Sequence, residues 1–357
     1  MTGALESKTY AEILNQPRCW RETFESLRLQ DWFAATLRSF PGPDEWLFVG
    51  CGSSHHVAQV AAATWNQLFQ VPARALPASE LLLYPRIALA GADNIQPVLI
   101  SRSGQSSELL QACEFLKSRF RARPLGIVCQ PDSELETVAA STLTLADAND
   151  QGVVVTQAFT TPLLVLQALG AARAGQAAIT SMIQSLADFV EGSLPAWSDQ
   201  FRDIARLLRP QKIVALGQGP YYGLAQEAAL KITEMSATPV QYFYTLEYRH
   251  GPIAACDADT LVLFFLSEDG YAAERRVWED VKALGAATIV ITSASDDHFR
   301  GSSNYLVEMD LKIPDAFRAA AAAVPVQLLG YFLARKKGLN PDQPLHLSRA
   351  VILSARD

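Results

Sequence analysis

The chain has 357 residues, 49% of them apolar and 19% charged, with a net charge of −7 at neutral pH. That length exceeds one ordinary core and fits two α/β domains, while the acidic balance excludes a nucleic-acid binder, which needs clustered lysine and arginine. No stretch reads as long and apolar enough to span a bilayer, and the opening MTGALESKTY has no apolar signal core, so a cytoplasmic protein without a membrane partner is expected. Five cysteines (Cys19, Cys51, Cys113, Cys129 and Cys256) are scattered, odd in number and never spaced as CxxC. They read as reduced core or near-core side chains, with neither a zinc site nor a disulfide framework.

Residues 1 to about 40 read as helical, with QPRCW at 16–20 inside an apolar pattern. Trp46 to Val49 is a short apolar run suited to a strand, and GCGSSHHVA at 50–58 turns it into a helix with Ser53 and Ser54 at its start. Further strands are expected around 73–76, 97–100, 125–129 and 141–145 with helices between most of them, a βαβ series with a parallel sheet. A loop opening at Gln151 leads to an apolar helix reaching Gly175, and helical stretches to about 208 connect to a second series. That series has strands at 212–216, 260–265, 288–292 and 305–308, with helices to about 237, over 271–284 and over 316–337. The two series resemble each other: VGCGSSHHVA at 49–58 matches LGQGPYYGLA at 216–225, and the helix of Pro162 to Gly175 matches Pro325 to Gly338 in nearly the same register. A duplicated unit accounts for both matches.

The densest chemistry in the first half is ISRSGQSSE at 100–108, between a strand end and a helix start. Ser101, Ser103, Ser106 and Ser107 crowd there with Arg102 and Gly104. A helix start offers unpaired N–H groups and the positive end of the helix dipole, and hydroxyls add donors, so the stretch suits a phosphate. A serine N-cap alone accounts for one or two of the four hydroxyls. A dinucleotide site fits less well. The third glycine of GxGxxG is His55 in one copy and Tyr222 in the other, no acidic residue ends the strand at 73–76, and no GK[ST] follows either loop.

In the second half, Glu227, Lys231 and Glu234 fall at i, i+4 and i+7 and share one helix face. An exposed row of this kind is an ordinary salt-bridge ladder. Here the neighbours are Ala225, Ala228, Ala229, Leu230 and Ile232, so the helix reads as buried, where carboxylates around a lysine point to function. Downstream, His250 precedes a Gly-Pro turn in EYRHGP.

CGSS at 51–54, SRSGQSSE at 101–108, AFTTP at 158–162, EAALKITE at 227–234 and RHGP at 249–252 together resemble the SIS (sugar isomerase) phosphosugar-binding proteins. Their order resembles the isomerase domain of glucosamine-6-phosphate synthase, and QPRCW, SRSG and RHGP resemble the branch of tagatose-6-phosphate ketose/aldose isomerases, also described as galactosamine-6-phosphate deaminase/isomerases. The resemblance implies two tandem SIS domains, each a flavodoxin-like parallel sheet sandwiched by helices, with residues 1–36 as a helical lead-in, 37–190 as the first domain and 191–357 as the second with its C-terminal tail.

It further implies a phosphorylated sugar as substrate, no cofactor and no metal, and a homodimer with shared active sites. Ser53, Ser54, Ser101, Ser103 and Ser106 match phosphate- or sugar-contacting positions, and Arg102, Val153, Glu227 and Arg349 are assigned to the same substrate-binding group. Glu234 matches the base that moves a proton between C1 and C2, with Lys231 on its face, and His250 matches a ring-opening histidine supplied by the partner subunit. Departures bear on the activity. The synthase's Schiff-base lysine is matched by Arg349, whose guanidinium stays protonated and forms no imine. No glutaminase half accompanies the chain, so amination from glutamine is not expected. Arg102 and Gln105 replace an uncharged and an acidic residue, so the sugar is expected to differ. The implied activity is a sugar-phosphate aldose–ketose isomerase, with or without deamination. The alternatives are a fructosyl-amine 6-phosphate deglycase and a non-catalytic phosphosugar-binding regulator.

Overall fold

The structure, a computed structural model, describes residues 7–353 apart from 41, 70, 92–93, 294–298 and 301–304, together with the side chains of that span except 177–180 and 183. The opening MTGALE therefore lies outside the described residues. The chain forms two compact units, Met1–Glu191 with His346–Asp357, and Gly192–Leu345.

In the first unit α1 (Lys8–Leu29) and α2 (Trp32–Ser39) precede β1 (Glu45–Gly50), α3 (Ser53–Leu68), β2 (Ala73–Pro77), the short α4 (Ala78–Leu83) and α5 (Pro85–Ala88), β3 (Ile95–Ser101), α6 (Ser107–Phe120), β4 (Leu125–Val128), α7 (Glu134–Val138), β5 (Ser141–Thr144) and α8 (Gln157–Arg173). The sheet is parallel with order β2-β1-β3-β4-β5. Val49 pairs with Leu76 on one side and Leu99 on the other. Every residue of β3 is buried, as a parallel strand covered on both faces requires.

Next, α9 (Ala177–Leu207) leads into the second unit: β6 (Lys212–Gly217), α10 (Pro220–Ser236), β7 (Val240–Tyr244), β8 (Thr260–Phe265), α11 (Tyr271–Ala283), β9 (Ala287–Thr292), β10 (Tyr305–Glu308) and α12 (Asp315–Lys336). Its sheet order, β10-β9-β8-β6-β7, repeats the first from the opposite edge, and its pairings are again parallel. Two parallel sheets with flanking helices match the expected tandem flavodoxin-like domains.

Each unit is built on a helix apolar all round. In α8 nearly every residue is buried, and Trp65 on α3 donates its indole N–H to the Leu166 carbonyl of α8 at 2.9 Å. From α1, Trp20 donates to Thr160 Oγ1 at 3.1 Å. In the second unit α12 packs along α10, with Gly330 against the Lys231 carbonyl and Ile232. The expectation that no stretch could span a membrane is corrected here, because α12 is long and apolar enough by composition. Its apolar window is 94% buried inside the protein, the pattern of a core helix.

Three further differences have physical causes. The strand Val240–Tyr244 was not expected, since as a sheet edge it is mostly exposed or half-buried and lacks an apolar run. The short helices of 78–88 were not expected either, being four and six residues long and split by Pro85. The tail, assigned by sequence to the second domain, groups from His346 onward with the first unit, where polar bonds from Arg102 and Arg349 fasten it.

Candidate active site

In a sheet of this order the strand sequence reverses between its first and third strands, and ligands bind outside the carboxyl ends of the strands at that point. In the first unit these are β1 and β3, whose following loops are the serine-rich 50–54 and 101–106. Ser53 is the first residue of α3 and buried, with Ser54 beside it half-buried. Ser101 ends β3, and its Oγ accepts from the Gly104 N–H at 2.9 Å. Gly104 sits at φ +61°, where a Cβ would also collide with Ser133, so only glycine closes this turn. Ser103 Oγ accepts from the Gln105 N–H at 3.2 Å, and Ser106 is the N-cap of α6 without spending its side chain on the cap. The turn therefore delivers Ser103 and Ser106 to the positive end of a fourteen-residue helix.

Arg102 is expected among the substrate-binding residues. It is buried, and it donates to the backbone carbonyls of Gly152 at 3.3 Å, Val153 at 2.6 Å and Arg349. Three carbonyls from two other segments accept from it, as a buried guanidinium needs partners within the protein. Val153 thus enters the site through its carbonyl. Arg349 turns its side chain onto Asn149 Oδ1 at 3.1 Å and the carbonyls of Asp150 and Gln151 at 2.6 and 3.4 Å.

Two groups here escaped the sequence reading. Asp150 is fully buried and caps α8, accepting from the N–H groups of Thr156, Gln157 and Ala158 at 2.8, 3.2 and 3.1 Å. Burial pushes its carboxyl up, opposed by those bonds and by the charge of Arg102. Glu12 of α1 accepts from the Gly152 N–H at 3.0 Å. The density of Asp and Asn in DANDQG is the only signal for the first, and none marks the second.

In the second unit α10 presents the carboxylate–lysine row. Lys231 is 1% exposed, 3.7 Å from Glu227 Oε1, and bonded to Glu234 Oε2. Glu227 is equally enclosed at 2%, whereas the Glu234 side chain is 19% exposed. One carboxylate of the row thus reaches solvent while its cation is sealed. His250 ends the short turn Glu247–Arg249 and is exposed. Its turn is fixed by buried Tyr248 and by the ion pair of Arg249 with Asp280 at 2.6 Å. All five cysteines are free, four of them buried. Among the described residues no group of three or more His, Cys, Asp or Glu is placed to hold a metal ion.

These features define a duplicated, doubly wound α/β protein. The SIS domain family matches residues 43–172 and 206–331, and the chain belongs to that family. It is 27% identical over 354 residues to a glutamine–fructose-6-phosphate aminotransferase (isomerizing) of Methanothermobacter thermautotrophicus, covering 98% of this chain and 58% of that protein. The chain thus spans 58% of the length of that curated relative. Among solved structures, the glucosamine-6-phosphate deaminase of Thermotoga maritima superposes with a TM-score of 0.80 at 29% identity, covering 97% of this chain and all of that one. The tagatose-6-phosphate ketose/aldose isomerase of Escherichia coli has the same fold, with a TM-score of 0.87 at 22% identity and 98% coverage of each chain. The two neighbours are named as a phosphosugar deaminase and a phosphosugar isomerase, and this chain shares their fold.

Proposed function

We propose that the chain is an aldose–ketose isomerase of a hexose or amino-hexose 6-phosphate, acting through an enediol or enolamine. The observation that carries this reading is the row on α10, where sealed Lys231 donates to Glu234, the carboxylate that reaches solvent. Glu234 takes the C2 proton and returns it at C1, Lys231 and Glu227 hold it in place, and His250 opens the sugar ring. Ser53, Ser54, Ser101, Ser103 and Ser106 hold the phosphate at the two helix starts. With an amino sugar, the ketose imine formed by proton transfer is hydrolysed, releasing ammonia. The deaminase activity for which the Thermotoga maritima neighbour is named favours including that branch.

The test is incubation with a panel of hexose and hexosamine 6-phosphates, following ketose and ammonia together. Ketose without ammonia gives isomerisation, both give deamination, turnover of only fructosyl-amine 6-phosphates gives the deglycase, and binding without turnover gives a regulator. The proposal includes a homodimer in which His250 serves the partner's site. Mixing inactive Glu234→Gln and His250→Ala proteins then restores up to about a quarter of native activity under random pairing, since half the dimers hold one intact site of two. A mixture that exchanges subunits yet stays inactive removes the shared site.

A further inference from the structure

Three stretches far apart in the sequence of the first unit meet on two guanidinium groups. Arg102, in the serine loop, donates to the carbonyls of Gly152, Val153 and Arg349. Arg349, in the C-terminal tail, donates in return to Asn149, Asp150 and Gln151. Beyond it the tail runs against the start of α6, where the Ser107 N–H donates to the Val351 carbonyl at 3.2 Å and Ser107 Oγ accepts from the Leu353 N–H at 3.0 Å. The tail has neither helix nor strand over 346–353, and Val351 and Ile352 are 58% and 70% exposed. Apolar burial therefore does little to hold it, and its fasteners are these polar bonds.

We infer that Arg102 is a positioning residue that ties the C-terminal segment to the phosphate loop, so that affinity for the sugar end of a phosphosugar depends on it and affinity for the phosphate does not. The inference rests on the phosphosugar site proposed above. The hydroxyls of Ser103 and Ser106 lie on the loop itself, whereas the segment carrying Arg349 is bonded to the loop, among the described residues, through Arg102 and Ser107. A planar fork with donors on both terminal nitrogens spans carbonyls from separate segments, and a lysine ammonium on a flexible stem does not reproduce that geometry.

The test compares the native protein with Arg102→Ala, Arg102→Lys and Arg349→Ala. Amide hydrogen exchange over 350–353 is read without ligand, and calorimetry measures affinity for inorganic phosphate and for glucosamine 6-phosphate. Both Arg102 variants should speed exchange of the tail and weaken glucosamine 6-phosphate by about tenfold, the scale of one lost charge-assisted bond, with phosphate affinity unchanged. Arg349→Ala, which removes only the return bonds, should loosen the tail less. Phosphate affinity falling together with that of the sugar phosphate would make Arg102 a phosphate ligand and overturn the inference. So would native-like exchange in Arg102→Lys, which would show that charge alone suffices. If Arg102→Ala does not fold, Arg102→Lys and Arg349→Ala carry the exchange comparison. Should the native protein bind neither ligand, the phosphosugar reading fails, while the exchange data still decide whether Arg102 holds the tail.

Discussion

The loop after β3 in the first unit and the loop after β8 in the second share a Ser–Gly hydrogen bond but not a backbone, since Gly104 has φ +61° and Gly270 has φ −87°. Gly104 N–H donates to Ser101 Oγ at 2.9 Å in one, and Gly270 N–H donates to Ser267 Oγ at 3.0 Å in the other. Two strands earlier, after β1 and β6, Gly52 and Gly219 cap α3 and α10 with φ +55° and ψ near −128° in both. In that register SRSGQSSE faces SEDGYAAE: Arg102 becomes Glu268, Ser103 becomes Asp269, and Ser106 and Ser107 become Ala272 and Ala273. In the second loop Ser267 is buried while Glu268 and Asp269 are exposed. Glu268 pairs with buried Arg318 at 2.7 Å, and Glu274 accepts from the N–H and Oγ of Ser267 at 2.7 and 3.0 Å. The two copies thus share the Ser–Gly bond, and the first loop carries hydroxyls on Ser103, Ser106 and Ser107 where the second has Asp269, Ala272 and Ala273. The second unit instead carries the carboxylate–lysine row on the helix that follows its glycine cap.

This division of labour can be broken most sharply at Glu234. Glu234→Gln should bind glucosamine 6-phosphate yet turn it over at least about a hundredfold more slowly, because an amide does not accept the proton. Solvent deuterium should enter C2 with the native protein and not with the variant; exchange that survives would move the base to another residue, Glu227 first. A smaller effect is expected at the two matched loops. Ser53→Ala or Ser103→Ala should weaken sugar-phosphate binding by about tenfold, since a hydrogen bond to a charged group is worth roughly 1.5–3 kcal/mol. Ser267→Ala should leave that affinity unchanged and lower the melting temperature. Equal losses of affinity from both loops would show that the second still binds anions.

The smallest effect concerns Glu274. Burial raises its carboxyl to about 7, opposed by the bonds from Ser267 and Thr245 and reinforced by the charge of Asp315. Between its ordinary value of 4.5 and about 7 the folded protein holds a proton that the unfolded chain has released. Stability from this group is therefore complete below the lower value and is lost as pH rises through the upper one, by at most about 1.4 kcal/mol per pH unit. Glu274→Gln should flatten the fall in melting temperature across that window. An unchanged slope would assign it to other groups.

Much of this was legible in the residues. Buried parallel strands read as apolar runs because both faces are covered, and the repeated glycine cap exposed the duplication. The Glu227–Lys231–Glu234 row was visible because helical spacing and small neighbours together predict a shared, buried face. The partners of Arg102 were hidden: beside four serines it reads as a phosphate ligand, and the carbonyls it donates to lie 50 or more residues away in segments with no regular structure. β7 escaped for the opposite reason, because an edge strand rich in tyrosine carries no period that burial would impose.

The tail's membership of the first unit has a consequence for how the chain is assembled. The first unit is discontinuous, with all of 192–345 inserted before its last segment. Ser107 meets Leu353 across 246 residues, and Arg102 meets Arg349 across 247. During synthesis the serine loop emerges early and stays uncovered until the whole second unit has been made. Closing so long a loop costs entropy that only a folded insert reduces, by bringing its own two ends under fixed geometry. The bonds around Arg102 should accordingly be among the last native contacts to form, leaving the serine loop open throughout the folding of everything between.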